Sequence, residues 1–503
     1  MELLGQLLMG FDVALTAQNL MYCLMGVSLG TLVGVLPGIG PMVAIAMLLP
    51  ITFTVPPVAA LVMLAGIYYG AQYGSSTAAI LINLPGEASS IVTCIDGHAM
   101  AKAGRAGPAL AIVAIGSFAA GCIGTLLIAM FAPPLARLVL EFNSADYCSL
   151  MVLGLLTTAV LCHGSLLKAM AMAVLGLLMG LVGLDLTTGI PRFTFDQPAL
   201  TDGIPFVVIA MGLFGIAEAV ANLEAGSVHR EVISSRIDRL MPSREDLKRS
   251  LNPILRGTGV GSIFGILPGA GPAISSFASY ALEKRVARDP SRFGKGEIAG
   301  VAGPESANNA AAQTAFIPTL TLGIPGSATM ALMLGALTIQ GISPGPRVMT
   351  DQPELFWGLV ASMWIGNLAL LVLNLPMVGV WVRLITIPYR YLYPAILVLV
   401  CIGTYSFNYN TTDLVYTAMF GALGYIFIKT GCEAAPFMLG FILGPLLEEN
   451  MRRALLISRG DYTVFVSEPV SLGLLAASAL LLLSTTLSAV KRGRKAILHG
   501  ENT

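Results

Sequence analysis

Charged side chains are scarce in this chain. Asp, Glu, Lys and Arg make up 11% of its 503 residues, whereas a soluble domain carries about 25%. Hydrophobic residues account for 55%, and the mean hydropathy is +0.80. Apolar runs long enough to cross a hydrocarbon core of roughly 30 Å recur along the sequence. This composition excludes an ordinary soluble domain and predicts an integral membrane protein.

Features of metalloproteins, nucleic-acid-binding proteins and secreted proteins are also missing. The seven cysteines form no CxxC pair and the four histidines form no HExxH motif. We therefore expect inert thiols, and no metal or cofactor other than possible Na⁺ as a coupling ion. The net charge is zero and no basic cluster alternates with aromatic residues, which argues against a nucleic-acid partner. No basic region precedes the first apolar run, so no cleaved signal peptide is expected.

An octapeptide occurs twice. The sequence GVLPGIGP at 34–41 returns as GILPGAGP at 265–272, with six of eight residues identical. A second Pro-Gly interruption follows each copy, in NLPGEASS at 83–90 and in GIPGSATM at 323–330. Hydrophobic segments that are interrupted by Gly and Pro at matching places in two halves indicate the binding site of a secondary transporter.

Lysine and arginine are distributed unevenly. Residues 1–101 contain none, whereas 223–256 contains seven and the tail at 491–503 contains four. Basic residues mark the cytoplasmic side of a membrane protein. They flank the second octapeptide on both sides and the first on neither side, so the two motifs are expected at the tips of re-entrant hairpins that enter from opposite faces. The N-terminus is then periplasmic and the C-terminus cytoplasmic.

These observations predict an all-α polytopic membrane protein with two inverted-topology repeats, about eleven spans and two re-entrant hairpins. Spans at 165–184 and 355–382 are among those expected. The predicted parts, in chain order, are a first half at 1–222 with a hairpin tip at 36–41 and a broken helix at 68–100, a charged cytoplasmic linker at 223–256, a second half at 257–490 with a tip at 267–272 and a broken helix at 299–340, and a cytoplasmic tail at 491–503.

The interruptions are the candidate substrate site. Proline removes a backbone donor and glycine permits conformations closed to other residues, so a helix should stop at each motif. Helix starts at membrane depth attract anions, and unwound carbonyl groups can hold cations. One Pro-Gly break could equally be a kink in a packed helix, but two matched copies favour a binding site. The residues predicted to bind substrate are Pro37, Gly38, Gly40, Asn83, Pro85, Gly86, Ser89, Ser90, Pro268, Gly269, Gly271, Asn308, Asn309, Thr321, Pro325, Gly326 and Ser327.

Small polar side chains around the breaks are the candidate coupling-ion site. Their oxygens suit a dehydrated Na⁺, although such residues also serve as hydrogen-bonding contacts between membrane helices. Glu305, early in the second broken helix, could bind a cation or proton or lie in the headgroup layer. Glu87 and Asp96 are open to the same two interpretations. The residues predicted to bind the coupling ion are Ser75, Ser76, Thr77, Glu305, Gln313 and Thr329.

Three long runs accompany the repeated LPGxGP. They are YYGAQYGSSTAAILINLPGEASS at 68–90, DGHAMAKAGRAGPAL at 96–110 and GPESANNAAAQTAFIPTLTLGIPGSATMALMLGAL at 303–337. In these runs the chain resembles the large membrane subunit of the tripartite tricarboxylate transporters, the TctA family.

The resemblance implies a secondary active transporter of the bacterial inner membrane. It would import citrate-like carboxylates by symport with Na⁺ or H⁺. A small membrane subunit (TctB-like) and a periplasmic solute-binding protein (TctC-like) would be its partners. Similarity in plan to other families with paired hairpins implies an elevator mechanism, in which the hairpins and broken helices move as one body.

Other functions stay open on the sequence. A non-transporting membrane receptor or scaffold subunit for a binding protein is the main alternative, although a receptor has little use for two broken helices. An intramembrane enzyme is disfavoured because no HExxH motif or facing aspartate pair is present in the sequence, so we expect no catalytic residues. A channel is disfavoured because delivery of a ligand by a binding protein goes with alternating access.

Overall fold

The architecture is known from a computed structural model. It describes residues 2–36, 40–162, 165–185, 188–224, 240–267, 271–385 and 389–499. Four of the residues predicted at the hairpin tips, Pro37, Gly38, Pro268 and Gly269, lie outside the described residues.

The first copy of the octapeptide lies in a run of five helices. A 3₁₀ turn at Leu49–Thr54 follows the third helix, and another at Ala88–Ser90 precedes the fifth. The helices are α1 (Glu2–Ala14), α2 (Ala17–Val35), α3 (Pro41–Leu48), α4 (Pro57–Ile82) and α5 (Ile91–Lys102).

The central part of the chain follows with five more helices. A two-residue strand pair, Gly183–Leu184 with Pro191–Arg192, and a 3₁₀ turn at Pro198–Leu200 interrupt it, and a π-helix at Met211–Ile216 joins its last two helices. The helices are α6 (Ala106–Val139), α7 (Ser144–Leu161), α8 (Leu166–Gly180), α9 (Phe206–Ala210) and α10 (Ala217–Glu224).

The second copy lies in a run that parallels the first. Two helices flank the motif, and the helix that follows them is again interrupted before a last segment. These are α11 (Arg244–Ile266), α12 (Gly271–Val286), α13 (Ala299–Thr314), α14 (Phe316–Leu322) and α15 (Ala328–Ile339), with a 3₁₀ turn at Pro290–Arg292. The remaining helices are α16 (Val348–Asp351), α17 (Pro353–Asn374), α18 (Val378–Ile385), α19 (Tyr389–Asn408), α20 (Thr411–Thr430), α21 (Ala434–Ile457), α22 (Val464–Ser467) and α23 (Pro469–His499).

Six of these helices are long and apolar enough to cross a membrane, by length and composition. They are Ala17–Val35, Ala106–Val139, Ser144–Leu161, Phe206–Glu224, Pro353–Asn374 and Thr411–Thr430. Shorter apolar helices account for further predicted spans, so the all-α, multi-pass character is confirmed. The inverted topology of the repeats and the number of spans stay predictions.

Three predicted boundaries differ from the observed ones. The first broken helix begins at Pro57, before the predicted residue 68, because proline fits the first helical turn, where its missing N–H has no partner to lose. The expected span at 355–382 is interrupted after Asn374, where Pro376 cannot continue the helix. The expected span at 165–184 ends as a helix at Gly180, and the strand pair begins at Gly183.

The chain divides into two compact units. One unit comprises Met1–Val139 with Pro205–Lys429, and the other comprises Leu140–Ile204 with Thr430–Thr503. In the second unit α8 packs against α21 and α7 packs against α21 and α23. The first unit contains both octapeptides and both broken helices.

Glycine ladders determine the packing of the first unit. In both repeats the helix that precedes the octapeptide packs against the broken helix: α2 against α4, and α11 against α13. A Cβ on any ladder glycine would collide with a backbone carbonyl of the facing helix, so only glycine allows the two backbones to lie this close. The ladders are Gly26, Gly30 and Gly34, which face Met63, Ile67 and Ala71, and Gly257, Gly261 and Gly265, which face Gly303, Ala307 and Ala311.

The two helix breaks have the same backbone course. Helix α4 ends at Asn83 with φ of 56°, and α14 ends at Gly323 with φ of 69°, so both end in the left-handed conformation. Four residues later, Glu87 (φ −151°) and Ser327 (φ −157°) are extended, and the chain then re-enters a helix. Asparagine and glycine tolerate the left-handed region best, and each helix therefore stops where the sequence predicts a break.

Candidate functional site

Glu305 on α13 is the centre of a buried polar cluster. Its side chain is enclosed by protein, with 1% of the residue exposed. Its Oε2 accepts a hydrogen bond from Ser76 Oγ on α4 at 2.6 Å, and its Oε1 accepts one from Thr93 Oγ1 on α5. Both broken helices thus meet at this carboxylate. The carboxylate is therefore enclosed by protein and not exposed on the surface.

A second carboxylate belongs to the same cluster. Glu87 follows the first Pro-Gly break and lies close to Glu305 and Asn308. The hydroxyl of Ser89 donates to Glu87 Oε1 and lies 3.3 Å from Gln72 Oε1. The half-buried Glu87 therefore lies near the buried Glu305, and Asn308 contacts both carboxylates.

Hydroxyl pairs tie the segment after the break to α4. Ser75 Oγ and Ser90 Oγ are 2.7 Å apart, and both side chains are buried. Gly86 is held close to α2, where an added Cβ would lie 2.7 Å from the carbonyl oxygen of Gly34. The break is thus fixed on one side by α4 and on the other by the helix that leads to the first tip.

Several buried polar atoms of the cluster lack a hydrogen bond of regular geometry. Asn308 is 0% exposed, and its amide contacts the carboxylates of Glu87 and Glu305 without a hydrogen bond of regular geometry. Gln72 Nε2 is likewise buried and contacts Glu87 without a hydrogen bond of regular geometry. Gln313 Oε1, on α13 outside the cluster, is also buried with no hydrogen-bond partner among the described residues. Buried polar groups in native proteins are normally satisfied, and unsatisfied ones often point to a ligand or ion. The cluster therefore has unused coordination capacity.

Asn309, the neighbour of Asn308, is fully engaged. Its Nδ2 donates to Ser117 Oγ on α6 at 2.7 Å and to the carbonyl oxygen of Glu305 at 3.0 Å. Asn309 thus holds α13 against α6, whereas the Asn308 amide lies beside the two carboxylates.

The charge of the cluster is unbalanced. Among the residues that the structure describes, neither Glu87 nor Glu305 forms a salt bridge with Lys, Arg or His. Removing a carboxylate from water is costly unless a cation or several hydrogen bonds compensate. Two adjacent carboxylates without a basic partner therefore favour the binding of a cation.

The loop before α13 is anchored by Asp96. This buried residue on α5 accepts backbone N–H bonds from Gly294, Gly296 and Glu297 at 2.8–2.9 Å, and a bond from Tyr280 Oη at 2.9 Å. Since the loop leads directly into α13, Asp96 helps to position Glu305. The structure thus gives Asp96 a positioning role between the two repeats.

Each hairpin tip lies beside the break of its own repeat. A Cβ on Gly40 would lie 3.6 Å from the carbonyl oxygen of Gly86, and one on Gly271 would lie 3.6 Å from Ser327 Cβ. Helices α3 and α12 begin beside the breaks, and the first-turn N–H groups of a helix are potential donors to an anion.

Contacts also cross between the repeats. Helix α12 of the second hairpin packs against Ala88–Ser90 after the first break, and α3 of the first hairpin packs against α15 after the second break. The exchange is reciprocal, so α3, α12 and the segments after both breaks surround one region of the first unit.

The structure brings together some of the predicted site residues and leaves others apart. Ser75, Ser76, Ser89, Ser90, Asn308 and Glu305 all lie in the cluster. Asn83 is exposed and lies beside His98 and Lys102 in a surface groove. The remaining predicted residues lie at the breaks or in the surrounding helices. Pro85, Gly86, Pro325 and Gly326 form the breaks, and Ser327 caps α15. The side chains of Thr77, Gln313, Thr321 and Thr329 are buried in the helices.

Besides Glu87, which the sequence leaves open to two interpretations, two members of the cluster are additional to the predicted set. Gln72 lies one helical turn before Ser75 and Ser76, and Thr93 lies one turn after Ser89 and Ser90. Residues three or four apart share a helix face. That spacing is the signal in the sequence that identifies them once a neighbouring residue is placed in the site.

No group of three or more His, Cys, Asp or Glu residues able to hold a metal is present in the described part of the chain. The cluster offers two carboxylates with hydroxyl and amide oxygens instead. Such a set suits hard cations that prefer oxygen ligands, and lacks the nitrogen and sulfur ligands of zinc sites.

Comparison with known proteins gives one family and two relatives. A model described as the tripartite tricarboxylate transporter TctA family matches residues 20–439. An uncharacterized 52.8 kDa protein of Agrobacterium vitis, from the TAR-I ttuC' 3' region, is 57% identical over 502 residues, and the match covers 100% of both chains. An uncharacterized protein of the TAR-II ttuC' 3' region in the same organism is 56% identical over 234 residues, which are 46% of this chain and 97% of the relative. No solved structure matches the chain.

Proposed function

Since this chain belongs to the tripartite tricarboxylate transporter TctA family, we propose that it is the permease subunit of a cation-coupled carboxylate importer. Its substrates are tricarboxylates or related citrate-like carboxylates, and an inward gradient of Na⁺ or H⁺ drives their uptake. The observation that carries this proposal is the pair formed by the buried Glu305 and the half-buried Glu87, which lies where both broken helices meet and has no basic partner among the described residues.

The charge balance supports coupling to a cation. An anionic substrate that enters next to two carboxylates would meet repulsion, which a bound cation or proton relieves. Release of the cation on the cytoplasmic side would restore the repulsion and expel the substrate. Substrate and cation would thus bind best together, which is the condition for symport.

The tips and breaks support a site for an anion. Four helices begin there: α3 and α12 at the tips, and α5 and α15 after the breaks. Their N-terminal N–H groups and the Ser89 and Ser327 hydroxyls are donors suited to carboxylate groups. In this proposal the residues of both octapeptides and Thr321 line the anion site. Asn309 positions α13.

The reciprocal packing between repeats supports an elevator mechanism. Helices α3 and α12 each contact the segment after the break of the other repeat. Glycine ladders fasten both broken helices to the helices that lead into the tips. Hairpins and broken helices linked in this way would move as one body and carry substrate and cation across together.

The family membership supports two partners. In this proposal a small membrane subunit accompanies the chain in the bacterial inner membrane, and a periplasmic binding protein delivers the carboxylate. The N-terminus is periplasmic and the C-terminus cytoplasmic, in line with the basic residues of the linker and the tail.

Uptake into proteoliposomes tests the proposal. The full chain is reconstituted with its small subunit, loaded binding protein is added outside, and labelled citrate and smaller dicarboxylates are offered with and without an inward Na⁺ or proton gradient. We expect accumulation that needs both the gradient and the binding protein. If ligand-loaded binding protein docks but no carboxylate enters under either gradient, the chain is a receptor or scaffold subunit and the proposal is wrong.

A further inference from the structure

We infer that a groove on the cytoplasmic side of the first unit binds an oxyanion, either a free carboxylate or phosphate compound or the headgroup of an anionic lipid. The groove lies between the end of α4, one face of α5 and the loop before α13, and its volume is about 330 Å³. Ligand pockets in proteins span roughly 300–1,000 Å³. Among its lining residues are Asn83, Cys94, Ile95, His98, Lys102 and Gly294. The groove is separate from the carboxylate cluster, and its occupancy can be measured without transport.

Two basic side chains line the groove, and no acidic side chain is among its lining residues. His98 and Lys102 are four residues apart on α5, so they share one face of the helix. Lys102 is exposed and forms no ion pair with the residues that the structure describes. Positive charges four residues apart on a helix repel each other, and an anion between them would relieve that repulsion. The groove therefore favours an anion over a cation.

The hydrogen bond of His98 determines which ring nitrogen is available to a ligand. Its Nδ1 lies 3.1 Å from the carbonyl oxygen of Ile80 on α4. A carbonyl oxygen can only accept, so Nδ1 carries the hydrogen, and Nε2 has no hydrogen bond to the described residues. When the ring is protonated, Nε2 becomes a second donor. An anion in the groove thus favours the protonated ring, and the protonated ring favours the anion.

Two elements of the groove are flanked by basic residues. Lys102 is the first basic residue of the chain, and Arg105 follows it closely. Gly294 belongs to the loop between α12 and α13, and the segment 284–295 contains five basic residues. Basic residues near the ends of membrane segments mark the cytoplasmic side. Both elements therefore indicate that the groove opens to the cytoplasm.

The face of α5 that lines the groove changes from apolar to basic along the helix. Ile91 and Ile95 are 43% and 42% exposed, and they lie on the same face as His98 and Lys102, nearer the start of the helix. An anionic lipid would fit this order, with an acyl chain on the isoleucines and its phosphate at the basic end. A free anion would use the basic end alone.

The groove adjoins both broken helices. Asn83 ends α4 at the first break, and the loop that contains Gly294 leads into α13. Cys94 follows Thr93, whose hydroxyl donates to Glu305. An anion that contacts all three sides of the groove would hold the end of α4, α5 and the loop together. Its binding would thus restrict the segment that follows the first break.

The test is binding of labelled sulfate to the purified, delipidated full chain in detergent, by scintillation proximity. We expect saturable binding that citrate and inorganic phosphate displace. Lys102→Gln and His98→Asn should each weaken it by about threefold or more, and asparagine can still donate to the Ile80 carbonyl. Lys248→Gln is the matched control, since Lys248 is also exposed and basic but lies on α11 outside the groove. Monodisperse size-exclusion profiles would show that the variants are folded.

The pH dependence separates a ligand role of His98 from a structural one. Between about pH 7.5 and about pH 6, where histidine ordinarily titrates, sulfate keeps its charge. Lowering the pH across this interval should strengthen sulfate binding by about threefold, because the protonated ring offers both N–H groups. Lys102→Gln should keep this gain, and His98→Asn should lose it. The other groups around the ring are the Cys94 thiol, the Lys102 ammonium, the Asn83 amide and the Gly294 backbone, none of which ordinarily titrates here.

Nanodiscs distinguish the two sources of the anion. Sulfate binding that is equal in phosphatidylcholine and phosphatidylglycerol would identify the occupant as a free anion. Sulfate binding that only phosphatidylglycerol abolishes, with this lipid retained by the wild type and lost from Lys102→Gln in native mass spectrometry, would identify it as a lipid headgroup.

Three results would overturn the inference: no saturable sulfate binding in detergent, unchanged binding in both Lys102→Gln and His98→Asn, or an equal loss in Lys248→Gln. None of them involves transport. Uptake of carboxylate by a protein without a sulfate site would leave the proposed function intact, and a sulfate site in a protein that transports nothing would support the groove and contradict the proposed function.

Discussion

Ser76 Oγ donates a hydrogen bond of 2.6 Å to Glu305 Oε2, although the two residues are 229 positions apart and lie in different halves of the chain. The contact joins the C-terminal part of α4 to α13, and Thr93 extends it to α5. A buried carboxylate is thus shared by the two interrupted helices. The function proposed above depends on this relationship, and so do the predictions below.

Glu305→Gln should reduce gradient-driven carboxylate uptake by at least about tenfold, because the amide keeps the shape but removes the charge that balances the coupling cation. Initial rates in proteoliposomes at several cation concentrations measure the effect. Exchange of internal unlabelled carboxylate for external labelled carboxylate, measured without a cation gradient, should be less affected. A variant with wild-type concentrative uptake would remove Glu305 from the coupling site.

Gly265→Ala should destabilise the protein by about 1–3 kcal/mol, because the added methyl would collide with Ala311 of α13 and with Thr314. Gly259→Ala on the same helix is the matched control, since nothing lies within 4 Å of its Cβ position. Thermal unfolding in detergent should show a lower melting temperature for the first variant only. Equal melting temperatures would contradict the close approach of α11 and α13.

Asn83→Gly should leave folding and uptake nearly unchanged, whereas Asn83→Val should cost roughly 1–2 kcal/mol, because Asn83 adopts φ of 56° at the end of α4. Melting temperatures and uptake rates of both variants measure this. A stable Asn83→Gly variant with a raised KM for carboxylate would instead favour the predicted role of the Asn83 amide in substrate binding.

Asp96→Ala should destabilise the chain by roughly 3 kcal/mol or more, because three backbone N–H groups and Tyr280 Oη lose their acceptor. Tyr280→Phe removes one of the four bonds and should cost about 1 kcal/mol. Hydrogen exchange of residues 294–297 should speed up strongly in Asp96→Ala and slightly in Tyr280→Phe. Unchanged exchange in both variants would refute the anchoring role.

Asn309→Ala should weaken uptake by displacing α13 rather than by removing a ligand, because the Asn309 amide is bonded to Ser117 and to the Glu305 carbonyl. Ser117→Ala should have a similar but smaller effect, and the double variant should be little worse than Asn309→Ala alone. The readout is maximal uptake rate and substrate KM for the three variants. Additive losses would show that Asn309 acts independently of Ser117.

The sequence predicts the interruptions because their causes are local. Proline and glycine stop a helix wherever they occur, so the breaks after Ile82 and Leu322 and the helices around both tips follow from the residues themselves. The start of α4 at Pro57 is harder to predict, since a proline that begins a helix and one that ends it look alike in an apolar run.

The composition of the cluster is only partly predictable. Ser76 and Glu305 stand out as polar residues near the breaks. That Glu87, Thr93 and Gln72 join them depends on how α4, α5 and α13 pack, and the glycine ladders that set this packing act between residues far apart in the sequence. Asn83 shows the opposite case: its position in the motif suggests a ligand, but its backbone conformation turns it to the surface.

The most direct test of cation-coupled import is the simultaneous influx of labelled Na⁺ and labelled carboxylate into proteoliposomes that contain the wild-type chain, its small subunit and external binding protein. We expect the two labels to enter in a fixed ratio, each dependent on the other, with both fluxes lost in Glu305→Gln. Carboxylate that accumulates without any accompanying cation, or a constant cation flux that ignores the carboxylate, would contradict coupling at the buried carboxylate pair.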